Sequence, residues 1–92
     1  MLFIVSWSIS PENRNTAIQR FLKTGGAPPE GVKMHGRWHA VGGSNGFGIA
    51  EASDLVQVQK WVLEWNDIMK MEVHAALTDA QMAPLLAAIG GK

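Results

Sequence analysis

The stretch "VKMHGRWHAVGGSNGFGIAEA", residues 32–52, decides the fold of this chain. Two runs typical of strands meet at a glycine-rich turn, where Asn45-Gly46 is a strong signal for a β-hairpin. Side chains alternate between the two faces of a strand. One face of the first run therefore carries Val32, Met34, Gly36, Trp38 and Ala40, and the other carries Lys33, His35, Arg37 and His39.

The residues before this hairpin predict a strand followed by a helix. Leu2 to Ser8 is a short apolar run that suits a buried strand. Ser10 is a favourable N-cap with Pro11 at the first helical position, and Gly25-Gly26 ends the helix.

The residues after the hairpin predict a second helix, a fourth strand and a short final helix. Ser53 or Asp54 caps the second helix, and residues 68–77 alternate as a strand. Thr78 then begins a capping box, and Pro84 kinks the final helix or delays its start. The order β-α-β-β-α-β predicts an α+β, ferredoxin-like fold: a four-stranded antiparallel sheet with two helices on one face and a short C-terminal helix. With 92 residues, the chain is predicted to form a single domain, 1–92.

The apolar content is high for a chain of this size. Hydrophobic residues make up 47% of the sequence and four residues are Trp, whereas a small domain buries only about 60–65% of its unfolded surface. We therefore expect a homodimer; one unusually aromatic core is the alternative. Trp61 and Trp65 stand four apart on the second helix, a spacing that suits core packing or, alternatively, a stacking platform.

Charge and cysteine content exclude several classes of function. Eight basic and eight acidic residues are scattered without a basic stripe, so no nucleic-acid partner is expected. The absence of Cys removes disulfides, thiolate nucleophiles and zinc ribbons. The start "MLFIVSWS" lacks the features of a signal peptide, and no apolar run approaches the ~20 residues of a membrane span. We expect a soluble, cytoplasmic protein with no membrane partner.

The strand patterns also predict which side chains face the helices. The apolar set assigned to the helix side is Phe3, Val5, Trp7, Met34, Trp38, Phe47, Ile49, Met69, Met71 and Val73. The complementary set, on the open face of the sheet, is Leu2, Ile4, Ser6, Ser8, His35, Arg37, His39, Gly48, Ala50, Ala52, Lys70, Glu72 and His74. An even-length hairpin loop places Ala50 beside the histidine face, and an odd bulge would reverse this pairing.

This open face is the candidate site. Small residues on the return strand would leave room above the sheet for a small molecule, with polar groups at its edges. His39 or His35 would act as a general base near neutral pH, and Arg37 would hold a carboxylate or enolate. The candidate ligand-binding residues are Ser6, Ala50, Glu72 and His74. A solvated polar face, or a wet dimer contact, is the alternative.

Metal and cofactor sites are not expected. His35 and His39 are four residues apart on one strand, which separates them by ~13 Å and prevents them from chelating one ion together. The loop "GGSNG" joins two strands, so it does not have the context of a phosphate-binding loop.

Several motifs together resemble a family of short bacterial proteins known as domain of unknown function 3303. They are "PENR", "TGGAPPEGV", "GRWH" and "EWND"; the resemblance covers nearly the whole chain and is looser at "HAALTDAQ". It implies a fold similar to the dimeric α+β barrel group, in which two such sheets pack face to face. That group contains cofactor-free monooxygenases, isomerases, haem proteins and members with no known chemistry, so the fold alone does not select an activity.

Two functions from different classes remain open on the sequence. The first is a homodimer that holds a small organic molecule at the open sheet face, with cofactor-free oxidation or isomerisation there. The second is a non-catalytic dimeric structural or interaction module.

Overall fold

A computed structural model describes residues 1–91 of the chain. Its strands and helices follow the order that the sequence predicts. They are β1 (Leu2–Ser8), a 3-10 turn (Pro11–Asn13), α1 (Arg14–Thr24), β2 (Val32–His39), β3 (Asn45–Ala52), α2 (Leu55–Leu63), β4 (Lys70–Ala76) and α3 (Asp79–Gly90).

The four strands form one antiparallel sheet in the order β2-β3-β1-β4. Strands β3 and β1 are therefore central, and β2 and β4 form the two edges of the sheet. This arrangement confirms the α+β, ferredoxin-like prediction. None of the helices within residues 1–91 is long and apolar enough to cross a membrane.

Local capping explains where the helices begin and end. Helix α1 ends at Gly25, which takes a left-handed φ of 71° and donates its N–H to the carbonyl oxygen of Phe21. Asp54 caps α2 by accepting the N–H of Val56 at 2.9 Å. The predicted capping box of Thr78 is present at the start of α3.

The hairpin turn lies a few residues earlier than the sequence predicts. Asn45 and Gly46 are the first residues of β3, and the N–H of Ala40 donates to the carbonyl oxygen of Asn45 at 2.9 Å. The chain reverses over residues 41–44, where Gly42 has a φ of 88°. A longer turn with a left-handed glycine therefore replaces the two-residue Asn-Gly turn.

The core lies between the sheet and helices α1 and α2. We call the face of the sheet that packs against these helices the helix side. Its buried residues are Phe3, Val5, Ala17, Val32, Ala50, Ala52, Val58, Trp61, Trp65 and Ile68. The buried positions of Trp61 and Trp65 agree with core packing, although Trp65 lies just beyond the last residue of α2.

Helix α3 stands away from this core. It buries no residue, and the apolar side chains of Leu85, Leu86 and Ile89 are more than half exposed. The radius of gyration is 15.8 Å, against about 12 Å for a compact chain of this length. The chain thus carries a projecting helix whose apolar side chains have no cover within one protomer.

Candidate functional site

A β-bulge in β2 reverses the faces that alternation predicts for the second half of the strand. Met34 pairs with Ala50 and Gly36 pairs with Ile49, so His35 is an extra residue in the ladder. One extra residue moves every later side chain to the opposite face. The bulge therefore separates His35, on the open face, from the rest of the predicted site.

Arg37 and His39 lie on the helix side of the sheet. Arg37 pairs with Gly48 and His39 with Gly46, and both glycines are buried on β3. The sequence correctly placed Arg37 beside small residues of the return strand. It was wrong about the face, because the prediction put His35, Arg37 and His39 together on the open side.

The small side chains of β3 also face the helices. Ala50 and Ala52 are only 1% and 4% exposed, so their predicted place on the open face is wrong. Ala50 lies opposite Phe3 of β1, where a large aromatic side chain already fills the helix side. The packing therefore requires small residues on β3 and turns its large side chains, Phe47 and Ile49, outward.

The outward side chains make the centre of the open face apolar. Phe47 stacks on Trp38 with ring centroids 5.3 Å apart, and the two are 46% and 51% exposed. The strand alternation predicts both in the core, and this prediction is wrong because the bulge and the packing of β3 turn them outward. Trp38 lies across Gly36, where a Cβ atom would collide with the indole ring.

A cavity of about 280 Å³ opens between the sheet and helix α1, and we call it the helix-side cavity. Its wall includes four aromatic side chains: Trp7 of β1, Phe21 of α1, Trp61 of α2 and Trp65 just after α2. Its titratable groups are Arg14, Arg37 and His39, and no Asp or Glu of the described chain lines it. The cavity is therefore an apolar space with cationic groups at its edge.

Arg37 is held by the loop that follows α1. Its Nη2 donates to the carbonyl oxygen of Gly26 at 2.6 Å and its Nη1 to that of Gly25 at 3.4 Å. The guanidinium lies 5.1 Å from the ring centroid of Phe21, and Nη2 lies 3.2 Å from the Sδ of Met34. Burial lowers the pKa of Arg37, because desolvation disfavours its charged form.

His39 lies at the mouth of the same cavity. Its ring meets Trp7 edge-on at 5.6 Å between centroids and Phe21 at 6.1 Å. The residue is exposed, so an imidazole at this position contacts both solvent and the aromatic wall.

His35 occupies the open face at the β2 edge. Its Nε2 lies 2.8 Å from Oε1 of Glu51. The hydrogen bond from His35 holds the pKa of the Glu51 carboxyl below its ordinary value. This hydrogen-bonded pair lies on the opposite face from Arg37 and His39.

The other predicted binding residues lie on the open face at the far edge. Ser6 pairs with Glu72, which has Lys70 at 3.8 Å on one side and His74 at 3.7 Å on the other. Strands β2 and β4 are the two edges of a four-stranded sheet, about 14 Å apart. The structure therefore groups Ser6, Glu72 and His74, and separates this group from His35.

Sequence reasoning did not find several residues of the helix-side cavity. Phe21 and Gly26 hold the guanidinium of Arg37, although they lie in the preceding helix and loop. The Gly25-Gly26 pair is a visible signal in the sequence, but by itself it predicts only the end of a helix. Within residues 1–91, no three His, Asp or Glu side chains cluster as metal ligands would.

Comparison with known proteins supports the resemblance drawn from the motifs. A search of curated proteins finds no match to the chain. The model of a family described as a domain of unknown function (DUF3303) matches residues 1–90, and the chain belongs to that family.

Proposed function

We propose that the chain binds a small, mainly apolar organic molecule in the helix-side cavity. The observation that carries this proposal is the cavity itself, an aromatic space of about 280 Å³ with Arg37 and His39 at its edge. Ligand sites are typically concave and apolar with a few placed polar groups. The proposal keeps small-molecule binding but moves it from the open face to the opposite side of the sheet.

The size of the cavity limits the ligand. An engineered protein cavity of ~150 Å³ binds benzene, so a space of about 280 Å³ suits a molecule of one or two rings. Gly46 lets the indole ring of Trp7, which lines the cavity, lie close to β3, because a Cβ atom there would collide with that ring and with the backbone of β2.

A reaction at this site is the finer part of the proposal. Cofactor-free oxidation or isomerisation needs a base and a group that holds developing negative charge. His39 and Arg37 would supply these groups, since they lie two residues apart on one face of β2. His35 would take no part, because it lies across the sheet beside Glu51.

The four tryptophans provide a direct test of binding. Trp7, Trp61 and Trp65 line the cavity, whereas Trp38 lies on the open face. We expect 2-naphthylmethanol to shift the indole N–H resonances of the first three in a ¹H–¹⁵N spectrum and to leave that of Trp38 unchanged. A shift confined to Trp38 would show that the ligand binds the open face and would contradict the proposal.

A matched pair of variants on α1 supports this test. Ala17 is 2% exposed and lines the cavity, so Ala17→Leu should fill part of it and weaken binding at least fivefold. Gln19 is exposed on the same helix, and Gln19→Leu should leave binding unchanged. Equal effects of the two substitutions would argue against the cavity.

Self-association through the open face is the second candidate function, favoured by exposed apolar surface. The protomer exposes 6422 Å², against about 5,200 Å² for a compact protein of this length. The excess of roughly 1,200 Å² exceeds the ~800 Å² that each partner buries in a standard interface. Pairing of the Trp38–Phe47 surfaces, with α3 reaching across the partner, would cover much of it. The two candidates are compatible, since they use opposite faces of the sheet.

A further inference from the structure

We propose that the molecule bound in the helix-side cavity is an apolar carboxylate whose carboxylate group pairs with Arg37. This inference rests on the proposed binding function and adds the chemical class of the ligand. It is carried by the charge of the groups around the cavity.

The cationic charge at the cavity has no acidic partner among residues 1–91. No carboxylate of residues 1–91 lies within ion-pair distance of Arg37 or Arg14, and no acidic side chain lines the cavity there. By contrast Arg20 of α1 makes a two-pronged contact with Asp67 at 2.8 and 2.9 Å. Arg20 is thus paired with a carboxylate, whereas Arg37, which is also partly buried, has no carboxylate partner among the described residues.

Arg37 retains donors for a ligand. A guanidinium has five N–H groups, and Arg37 directs one Nη1 and two Nη2 hydrogens to Gly25, Gly26 and Met34. The Nε–H and the second Nη1 hydrogen have no acceptor among the described residues. Because a buried charge is costly unless it is paired, an anion in the cavity would be stabilised here.

The surroundings favour a single negative charge. The partly negative C-terminal end of α1, with the carbonyl groups of Gly25 and Gly26, lies against Arg37. A phosphate would be repelled by these carbonyls and would require more donors than one arginine offers. The free Nε–H and Nη1–H lie on different edges of the guanidinium, so either one can give a carboxylate a single charge-assisted hydrogen bond.

The cavity wall favours an aromatic or similarly bulky body on this carboxylate. Phe21 lies against the guanidinium of Arg37, and Trp7, Trp61 and Trp65 also line the cavity. Flat aromatic walls pack against ring systems in stacked or edge-on contacts. A two-ring aryl carboxylate is therefore the probe that matches both the charge and the volume.

The test compares 2-naphthoate with its neutral analogue 2-naphthylmethanol by calorimetry and by the indole N–H shifts. In the unsubstituted protein, naphthoate should bind at least tenfold more tightly. Arg37→Met should raise the dissociation constant of naphthoate at least tenfold and change that of naphthylmethanol less than twofold. Arg37→Lys should retain part of the preference, and Lys23→Met, at an exposed position of α1 outside the cavity, should retain all of it.

The outcomes separate this inference from the function on which it rests. Equal affinity for the two probes in the unsubstituted protein would overturn the carboxylate assignment and leave cavity binding intact. Failure of both probes to shift the cavity indoles would overturn both. An equal loss of affinity for both probes in Arg37→Met would overturn the carboxylate assignment, because it would show that Arg37 acts only by holding the loop.

Discussion

The Nη2 atom of Arg37 lies 2.6 Å from the carbonyl oxygen of Gly26, two residues past the end of α1. This hydrogen bond joins the middle of β2 to the loop that leaves the helix. It also fixes one wall of the helix-side cavity, since the guanidinium lies against Phe21 on the same helix. The shape of the cavity thus depends on a glycine loop as well as on the core.

The two glycines of this loop should respond differently to substitution. Both have positive φ, 71° at Gly25 and 62° at Gly26, so alanine at either position costs about 1–2 kcal/mol in backbone strain. Only at Gly26 would the new Cβ meet Arg37 and Phe21, at 2.7 and 2.8 Å. We expect Gly26→Ala to cost about 1–3 kcal/mol more than Gly25→Ala.

Urea unfolding of the two variants measures this difference. Gly25→Ala is the matched control, because a Cβ there has nothing within 4 Å. The same free energy of unfolding in both variants would show that the loop adapts without disturbing Arg37.

The bulge explains why the fold could be predicted from the sequence while the site could not. Element order and capping follow from local signals, and β1 alternates as predicted, with Phe3 and Val5 buried. In β2 the alternation is interrupted by His35, and the faces of Arg37 and His39 depend on that single residue. Gly36, next to the bulge, was the available hint, since glycine within a strand often marks a bulge. The outward turn of Phe47 depends on packing by distant residues, which no local pattern encodes.

The Arg20–Asp67 pair should make stability depend on pH at the acidic end. The hydrogen bonds from Arg20 hold the pKa of Asp67 below its ordinary value of 3.8. A carboxyl with a lowered folded pKa stabilises the protein above its unfolded pKa, and the effect is lost as pH falls through the folded pKa. Asp67→Asn should therefore lower the Tm at pH 6, and the gap should close as pH falls below about 3.8.

Thermal melts of the two proteins between pH 6 and pH 2.5 provide the measurement. Glu30→Gln is a suitable control, because Glu30 is exposed and has no ion pair within the described part of the chain. A Tm difference for Asp67→Asn that stays constant over this range would contradict the assignment.

Substitution of the exposed aromatic pair should weaken self-association. Phe47 stacks on Trp38 at the centre of the open face, and central aromatic residues contribute most to typical interfaces. We expect Phe47→Ser to raise the dimer dissociation constant at least tenfold, as measured by analytical ultracentrifugation. Val41→Ser is the control, since Val41 is fully exposed in the turn. A purely monomeric unsubstituted protein at tens of micromolar would remove this candidate function.

The caps of α2 and α3 should differ in what they stabilise. Loss of an N-cap side chain typically costs about 1 kcal/mol. Asp54 caps α2, which carries the buried Trp61, so Asp54→Ala should lower the stability of the whole chain by about that amount. Thr78 caps α3, which buries no residue, so Thr78→Ala should destabilise that helix alone.

Hydrogen exchange at concentrations where the chain is monomeric distinguishes the two effects. In Thr78→Ala, the α3 amides should exchange about fivefold faster, which corresponds to ~1 kcal/mol, while the β1 amides are unchanged. In Asp54→Ala, the β1 amides should also exchange faster, because α2 and β1 share one core. Faster exchange of β1 in Thr78→Ala would mean that α3 is coupled to the core within a single protomer. The projecting helix would then no longer be free to cover a second copy.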